Sequence, residues 1–356
     1  MQGVLPRTPT LEDESQLAFY ETVRNFAIGE MFPRLSQQLV ARADAAKLPD
    51  HGARLPLRQL RALAEPLPLS GAWKRVMRSQ QQLAWDKIRS SLLANAARYE
   101  AELDAAECAH PERIHCDPQF VTPDYAKFPI HLQPGGYVGD TLAGYVFHHG
   151  TKVFYQGFND QDELHILNAQ HVRAPADGKV RRVLDVGCSI GQGTTALKQR
   201  FPAAEVWGLD VGLPLVRYAH KRAVDQGVEV HFKHGLAEDT GFPDGHFDVV
   251  LAYILFHEVP ARLFDSIVTE VRRVLRPGGT FTIIDAPAAN SGSDTLAAGN
   301  RFWLDFDSQY NCEPYSPAFV ATDVPELLQR NGLEVLHSGA MPSFLWHTQA
   351  QKPAIK

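Results

Sequence analysis

The stretch Val180-Arg-Arg-Val-Leu-Asp185-Val-Gly187-Cys-Ser189-Ile-Gly191-Gln-Gly193-Thr-Thr195 decides the fold. An apolar run ends on an acid, passes into a glycine-rich turn and opens an amphipathic segment. That is the pattern of a strand, a tight loop and a helix N-terminus. Glycine admits positive φ and lets a ligand approach the main chain closely. A dinucleotide-binding turn reads G-x-G-x-x-G and seats a pyrophosphate on the helix N-terminus. Here Gly187, Ser189, Gly191 and Gly193 step by two, and Asp185 precedes them. An acid at that strand end repels a pyrophosphate and suits a cationic amino group. A second apolar run, Glu205-Val-Trp-Gly-Leu-Asp210, also ends on an acid, which can accept both hydroxyls of a ribose. The two acids ask for a ligand with a cationic end and a ribose, with no phosphate required.

Further motifs follow in order. Gly235-Leu-Ala237-Glu238-Asp-Thr-Gly-Phe-Pro-Asp-Gly-His-Phe247-Asp248 leads into another strand, and Val274-Leu-Arg-Pro277-Gly278-Gly279-Thr-Phe-Thr-Ile-Ile joins a helix end to the next. Taken together, residues 178 to 350 resemble the class I S-adenosylmethionine-dependent methyltransferases of the small-molecule type. The resemblance implies a Rossmann-like α/β fold with a seven-stranded sheet whose last strands are antiparallel. It implies S-adenosyl-L-methionine as cofactor and S-adenosyl-L-homocysteine as product. The cofactor residues would be Asp185, Gly187, Ser189, Gly191, Gly193, Asp210, Val211, Ala237, Glu238 and Tyr253. Two positions depart from the family pattern. Ser189 stands where glycine is usual, and Leu236 stands where many members carry an aspartate to the adenine amine. The adenine contact then passes to Glu238, to backbone near Ala237, or is lost.

Composition narrows the class. With 356 residues the chain suggests two cores. It is 44% hydrophobic and 21% charged, ordinary for a globular protein. A net charge of −6, without basic runs interleaved with aromatics, argues against nucleic acid as a partner. No apolar run is long enough to span a membrane, and Met1-Gln-Gly-Val-Leu-Pro-Arg7 has no signal-peptide core. Four cysteines without framework spacing suit a reducing, cytoplasmic setting.

The pattern divides near residue 110. Residues 1–110 read as an all-helical lid or dimerisation domain, residues 111–177 as a connector covering the pocket, and residues 178–356 as the cofactor-binding domain. Thr10 and Asp13 mark the start of a helix running to Met31, where Phe32-Pro33 interrupts it. Leu55-Pro56 to Ala64 reads as a short helix, Pro66 and Pro68 as a linker, and Trp73 to Leu92 as part of one long helix over residues 72–106. Cys108, His110, His115 and Cys116 lie close in sequence, but so short a loop cannot easily wrap a tetrahedron, and no metal is expected.

The acceptor side carries less signal. His131-Leu-Gln-Pro134-Gly135-Gly136-Tyr137 is a turn, and the aromatic run through Tyr145, His148, His149, Phe154 and Tyr155 reads as a helix that lines the pocket or packs the core. Tyr137, Tyr145, His148 and His149 are candidate substrate contacts. After the fourth strand, His257 and Glu258 fall beyond a carboxyl end, where ligands sit in open α/β sheets. His257 is the candidate catalytic base and Glu258 a substrate contact, although neighbours on a helix need not touch. After Asp285 an insert, Ala286-Pro-Ala-Ala-Asn-Ser-Gly-Ser293, precedes Arg301, Trp303 and Tyr310, which complete the substrate set. The expected activity is O-, N-, S- or C-methylation of a small polar or aromatic metabolite by in-line transfer. The alternative is a protein that binds the cofactor for regulation or for a non-methylating reaction. A homodimer through the N-terminal helices is the one protein partner suggested.

Overall fold

The computed structural model describes all residues except 1–4, 6, 9, 53–54, 289–297, 343–344 and 355–356, together with the side chains of 50 and 51. The part of the insert at 289–297 is therefore outside the described residues.

Eight strands form one sheet: β1 (Ile114–His115), β2 (Arg182–Val186), β3 (Glu205–Asp210), β4 (His231–His234), β5 (Phe247–Tyr253), β6 (Leu275–Asp285), β7 (Glu334–Ala340) and β8 (Trp346–Gln351). Their spatial order is β1-β4-β3-β2-β5-β6-β8-β7. Strands β2 to β8 make the expected seven-stranded sheet. The two-residue β1 extends its edge, pairing parallel with β4, and is too short to show a periodic pattern. The antiparallel element is β8, which inserts between β6 and β7 and opposes both. Strand order reverses beside β2, whose neighbours are β3 and β5. The crevice beyond their carboxyl ends is where an open α/β sheet takes its ligand.

Both faces are covered, as a parallel sheet requires. On one side Phe264, Ile267, Val268, Val271 and Val274 of the helix Phe264–Val274 pack with Leu327 and Leu328 against Val250 and Phe281. On the other, Ala196 and Leu197, with Val216, Ala219 and Ala223, cover Val183, Val206 and Phe232.

The N-terminal third is helical, with three differences from the sequence pattern. Thr10 caps the first helix by accepting from the Asp13 N–H at 3.1 Å. Pro33 does not end it. The helix Leu11–Phe26 widens into a π turn over Ala27–Met31 and continues as Phe32–Ala45. Proline lacks an N–H and its ring clashes with the carbonyl four residues back; the wider turn absorbs both problems. The long helix expected over 72–106 is two: Pro68–Leu93 and Ala96–Ala109. Asn95 leaves helical geometry between them, and its side-chain amide bonds back to the Ser91 carbonyl. Pro68, read as a linker, opens the first of these helices, a position where its missing N–H costs nothing.

These helices share their cores with the rest of the chain. Leu17, Tyr20, Trp85 and Ile88 pack with Ala143, Val146, Ile190 and Tyr218. Leu35, Leu39, Trp73 and Met77 pack with Phe302 and Phe306 of the helix Ala298–Tyr310. The helical region thus packs on the segment before β2, on the turn after β2 and on the helix Ala298–Tyr310.

Candidate active site

A cavity of about 120 Å³ lies beyond β2, β3 and β5, lined from the sheet by Asp185, Gly187, Ser189, Gly193, Asp210, Val211, Ala237, Tyr253 and Glu258. The turn after β2 is held in a left-handed path by Gly187 (φ 75°), Ser189 (φ 49°) and Gly191 (φ 74°). A Cβ at Gly191 would sit 2.7 Å from the Phe232 ring, and one at Gly187 2.8 Å from Leu255 Cδ1, so neither position has room for a side chain. Ser189 adopts a conformation that costs a non-glycine residue energy. Its N–H donates to Asp210 Oδ2 at 2.8 Å, tying the turn to the end of β3.

Asp185 and Asp210 differ in their surroundings. Asp185 is 1% exposed and accepts from Thr194 Oγ1 at 2.7 Å. Burial, helped by repulsion from Asp210, pushes it up to about 7. Gly193 leaves the space it needs, since a Cβ there would come within 2.9 Å of Asp185 Oδ2. A cationic amino group would lower that acid again by removing the cost of its charge. Asp210 also accepts from the Gly212 N–H at 2.8 Å. Burial pushes it up to about 6, against the backbone hydrogen bonds that hold it down.

Several buried polar atoms at this end lack a protein partner. Ser189 Oγ makes no hydrogen bond, nor does Glu238 Oε2, although Glu238 Oε1 accepts from Tyr125 OH at 2.7 Å. Buried polar atoms are normally satisfied. An acceptor beside Ala237 is what an adenine amine would meet, which bears on the absence of an aspartate at Leu236; that residue forms an isolated bridge with Asp239 instead. The donor set, the two acids and the side-chain-free turn fit S-adenosylmethionine.

Beside Tyr137 and Glu258, which line the cavity, lies a cluster of residues far apart in sequence. Tyr137 OH donates to Glu258 Oε1 at 3.3 Å. His131 lies between two carboxylates, with Nδ1 2.8 Å from Glu313 and Nε2 3.6 Å from Glu258. Burial disfavours the charged ring, but the Glu313 and Glu258 carboxylates outweigh it and raise His131 to about 10. Trp85 Nε1–H fixes the same residue by donating to its carbonyl at 2.7 Å. His257 pairs through Nδ1 with Asp285 at the end of β6, whose other oxygen accepts from the Phe256 N–H at 3.0 Å. Burial opposes its charge, yet Asp285 raises it to about 9. The pairing favours the protonated ring, so a base at this position would first have to give that proton up.

The remaining expected substrate contacts lie elsewhere among the described residues. Tyr145 is 1% exposed, packs between Tyr99 and Tyr218, and donates to Glu102 at 3.0 Å. His148 Nδ1 meets Tyr218 OH at 2.8 Å inside the same core, and His149 is buried beside it. Burial lowers both histidines, His149 to about 4. Trp303 packs on Phe32 and Trp73, and Tyr310 stacks on Phe306. Arg301 sits on the same helix and is not a cavity-lining residue. None of these six side chains is among those lining the cavity. Conversely, Tyr155, His165 and Gln192 line it. Tyr155 OH lies 3.4 Å from Tyr253 OH, and Gln192 donates to Asp162, which pairs with Arg222 at 2.5 Å. His131 and Tyr155 stood in conspicuous sequence segments; nothing in the sequence marked Glu313 as their neighbour.

Residues 183–279 match the family described as a methyltransferase domain. Over 131 residues the chain is 40% identical to a fatty-acid O-methyltransferase of Mycolicibacterium smegmatis, covering 36% of this chain and 46% of that one. Over 113 residues it is 34% identical to a demethylmenaquinone methyltransferase of Thermus thermophilus, covering 32% and 50%. The chain thus spans about half the length of the curated relatives it matches. A solved S-adenosylmethionine-dependent methyltransferase from Aquifex aeolicus superposes with a TM-score of 0.41 at 20% identity, over 55% of this chain and 94% of that one. The glycine turn and the paired acids Asp185 and Asp210 thus fall within the segment that matches a methyltransferase domain.

Proposed function

We propose that this chain is a small-molecule methyltransferase using S-adenosyl-L-methionine, with the acids at the ends of β2 and β3 as the observation that carries the reading. Asp185 and Gly193 would receive the amino-acid end, Asp210 the ribose, and Val211, Ala237 and Glu238 the adenine. Tyr155, His165 and Tyr253 would close over the methionine portion. The cofactor supplies a methyl group on a positively charged sulfur, poised for in-line displacement. The chain's own contribution is orientation and exclusion of water: Tyr137, Phe147 and Leu255 wall the cavity, and the N-terminal helices roof it. Holding two reactants in line removes much of the entropic barrier to their meeting. His257, held charged by Asp285, would fix the loop after β5 and place positive potential near the acceptor.

No helix among the described residues is long and apolar enough to cross a membrane. Leu11, Phe19 and Phe26 remain exposed along the first helix, which supports the reading of residues 1–110 as a roof that also pairs with a second copy. Light scattering of the Phe19→Lys variant tests that pairing: a wild-type dimer should become monomeric. For the main reading, calorimetry should find S-adenosylhomocysteine binding to wild type and at least ~100-fold weaker binding to Asp210→Ala, the cost of two charge-assisted hydrogen bonds. Unchanged affinity would remove Asp210 from the site.

A further inference from the structure

The acceptor end of the cavity contains an arrangement that cofactor binding does not use. Glu258 lines the cavity, and its charge reaches Asp210 at the ribose end. Glu258 therefore faces the same cavity as Asp210. It is held from two sides, by the Tyr137 hydroxyl at 3.3 Å and by His131 Nε2 at 3.6 Å. His131 is in turn anchored by Glu313, which also accepts from Asn311 Nδ2 at 2.8 Å and Ser316 Oγ at 3.1 Å. The side chains of Glu258 and His131 keep 21% and 22% exposure, whereas Glu313 keeps 8%. The outer carboxylate is thus reachable and the inner one is sealed.

The 3.6 Å separation is too long for a good hydrogen bond. The His131 Nε2–H can still donate to a third atom placed beside Glu258. A group that both gives a proton to Glu258 and accepts a hydrogen bond from His131 fits that position, and a hydroxyl does both. A carboxylate acceptor would face the Glu258 charge at close range, and an ammonium would face His131. Tyr137, Phe147 and Tyr155 offer ring faces for a flat body.

We infer that the methyl acceptor is a neutral phenolic hydroxyl, with Glu258 as its proton acceptor and the His131–Glu313 pair as the positioning device. This rests on the methyl-transfer reading above. The phenolic O–H bond breaks and its proton passes to a Glu258 oxygen. The oxygen lone pair forms the bond to the methyl carbon, and the electron pair of the broken carbon–sulfur bond stays on sulfur. The charged and titratable groups around Glu258 are Tyr137 and His131 from the connector, Glu313 from the loop after the helix Ala298–Tyr310, His257 on its own segment, Asp307 behind Glu313 and Asp210 from β3.

The test uses the full chain and 4-nitrophenol as probe. First, S-adenosylhomocysteine binding by calorimetry shows whether the cofactor reading stands; its absence would defeat that reading and this one with it. With the product bound, the absorbance titration of protein-bound 4-nitrophenol should have a midpoint above that of the free phenol, because Glu258 keeps the proton between the two oxygens. In Glu258→Gln the midpoint should fall below the free value, because His131 then favours the phenolate. A midpoint unchanged by Glu258→Gln, in a variant that still binds S-adenosylhomocysteine, would overturn the proposal. Wild-type acceptor preference needs no variant: kcat/KM for 4-nitrophenol should exceed that for benzoate, aniline and thiophenol by at least ~100-fold. Preference for any of those three would also overturn it.

Discussion

At one end of the cavity Asp185, Gly187, Ser189 and Asp210 come from two adjacent parallel strands and the turns that follow them. Beside the other end His131, Glu258 and Glu313 come from three segments spread over about half of the chain. The first end is built by backbone: left-handed φ angles, close approaches to side-chain-free positions, and N–H groups donating to Asp210. The second is built by side-chain charge, with each imidazolium held by a carboxylate. A backbone-built end needs particular residues at fixed spacing. A charge-built end needs only that the roof bring its groups together.

Perturbing the roof should separate the two most strongly. Trp73 is fully buried among Phe32, Phe302, Trp303 and Phe306, and its Nε1–H donates to the Ala27 carbonyl at 3.1 Å. Trp73→Ala should cost about 3–5 kcal/mol of unfolding free energy. Urea titration reads that loss, and acceptor turnover should fall before cofactor affinity does. Equal falls in both would mean that the ends are not separately supported.

The charge-built end should leave a mark on stability against pH. His257 and His131 are raised from 6.5 to about 9 and about 10. Groups raised on folding contribute fully below the unfolded value and lose that contribution as pH climbs through the folded one. Stability should therefore decline from near pH 6.5 toward pH 10, with the His257 part amounting to at most about 3 kcal/mol. In Asp285→Asn the decline should be shallower, as urea midpoints across that range would record. An identical slope would mean that Asp285 does not hold the charge on His257.

The backbone-built end should respond to single atoms. Gly191→Ala forces a side chain into a left-handed φ and against the Phe232 ring, at a cost of about 1–3 kcal/mol. A neutral result in thermal unfolding would show that the turn can shift. Ser189→Gly should do the reverse. It removes a left-handed non-glycine residue and an unsatisfied buried hydroxyl, and should stabilise by up to about 1 kcal/mol. Destabilisation would mean that Ser189 Oγ has a partner in the working protein.

This difference also explains what the sequence could disclose. The turn from Asp185 to Gly193, the acid at Asp210 and the strand pattern around them are local, so periodicity and spacing reveal them. The acceptor end is not local. Glu313 meets His131 only after the helix Ala298–Tyr310 packs under the roof, and no spacing rule links residues that far apart. Tyr145 and His148 mislead for a related reason: an aromatic helix reads the same from the sequence whether it faces a ligand or Tyr218. Pro33 misleads because the break it normally causes is absorbed here by a π turn.

The most direct test of two separately built ends is a pair of calorimetric titrations with S-adenosylhomocysteine. Asp210→Ala should lose affinity by at least ~100-fold, while Glu258→Gln should stay within ~3-fold of wild type and lose turnover instead. Comparable losses of affinity in both variants would contradict the account, because Glu258 would then belong to the cofactor end.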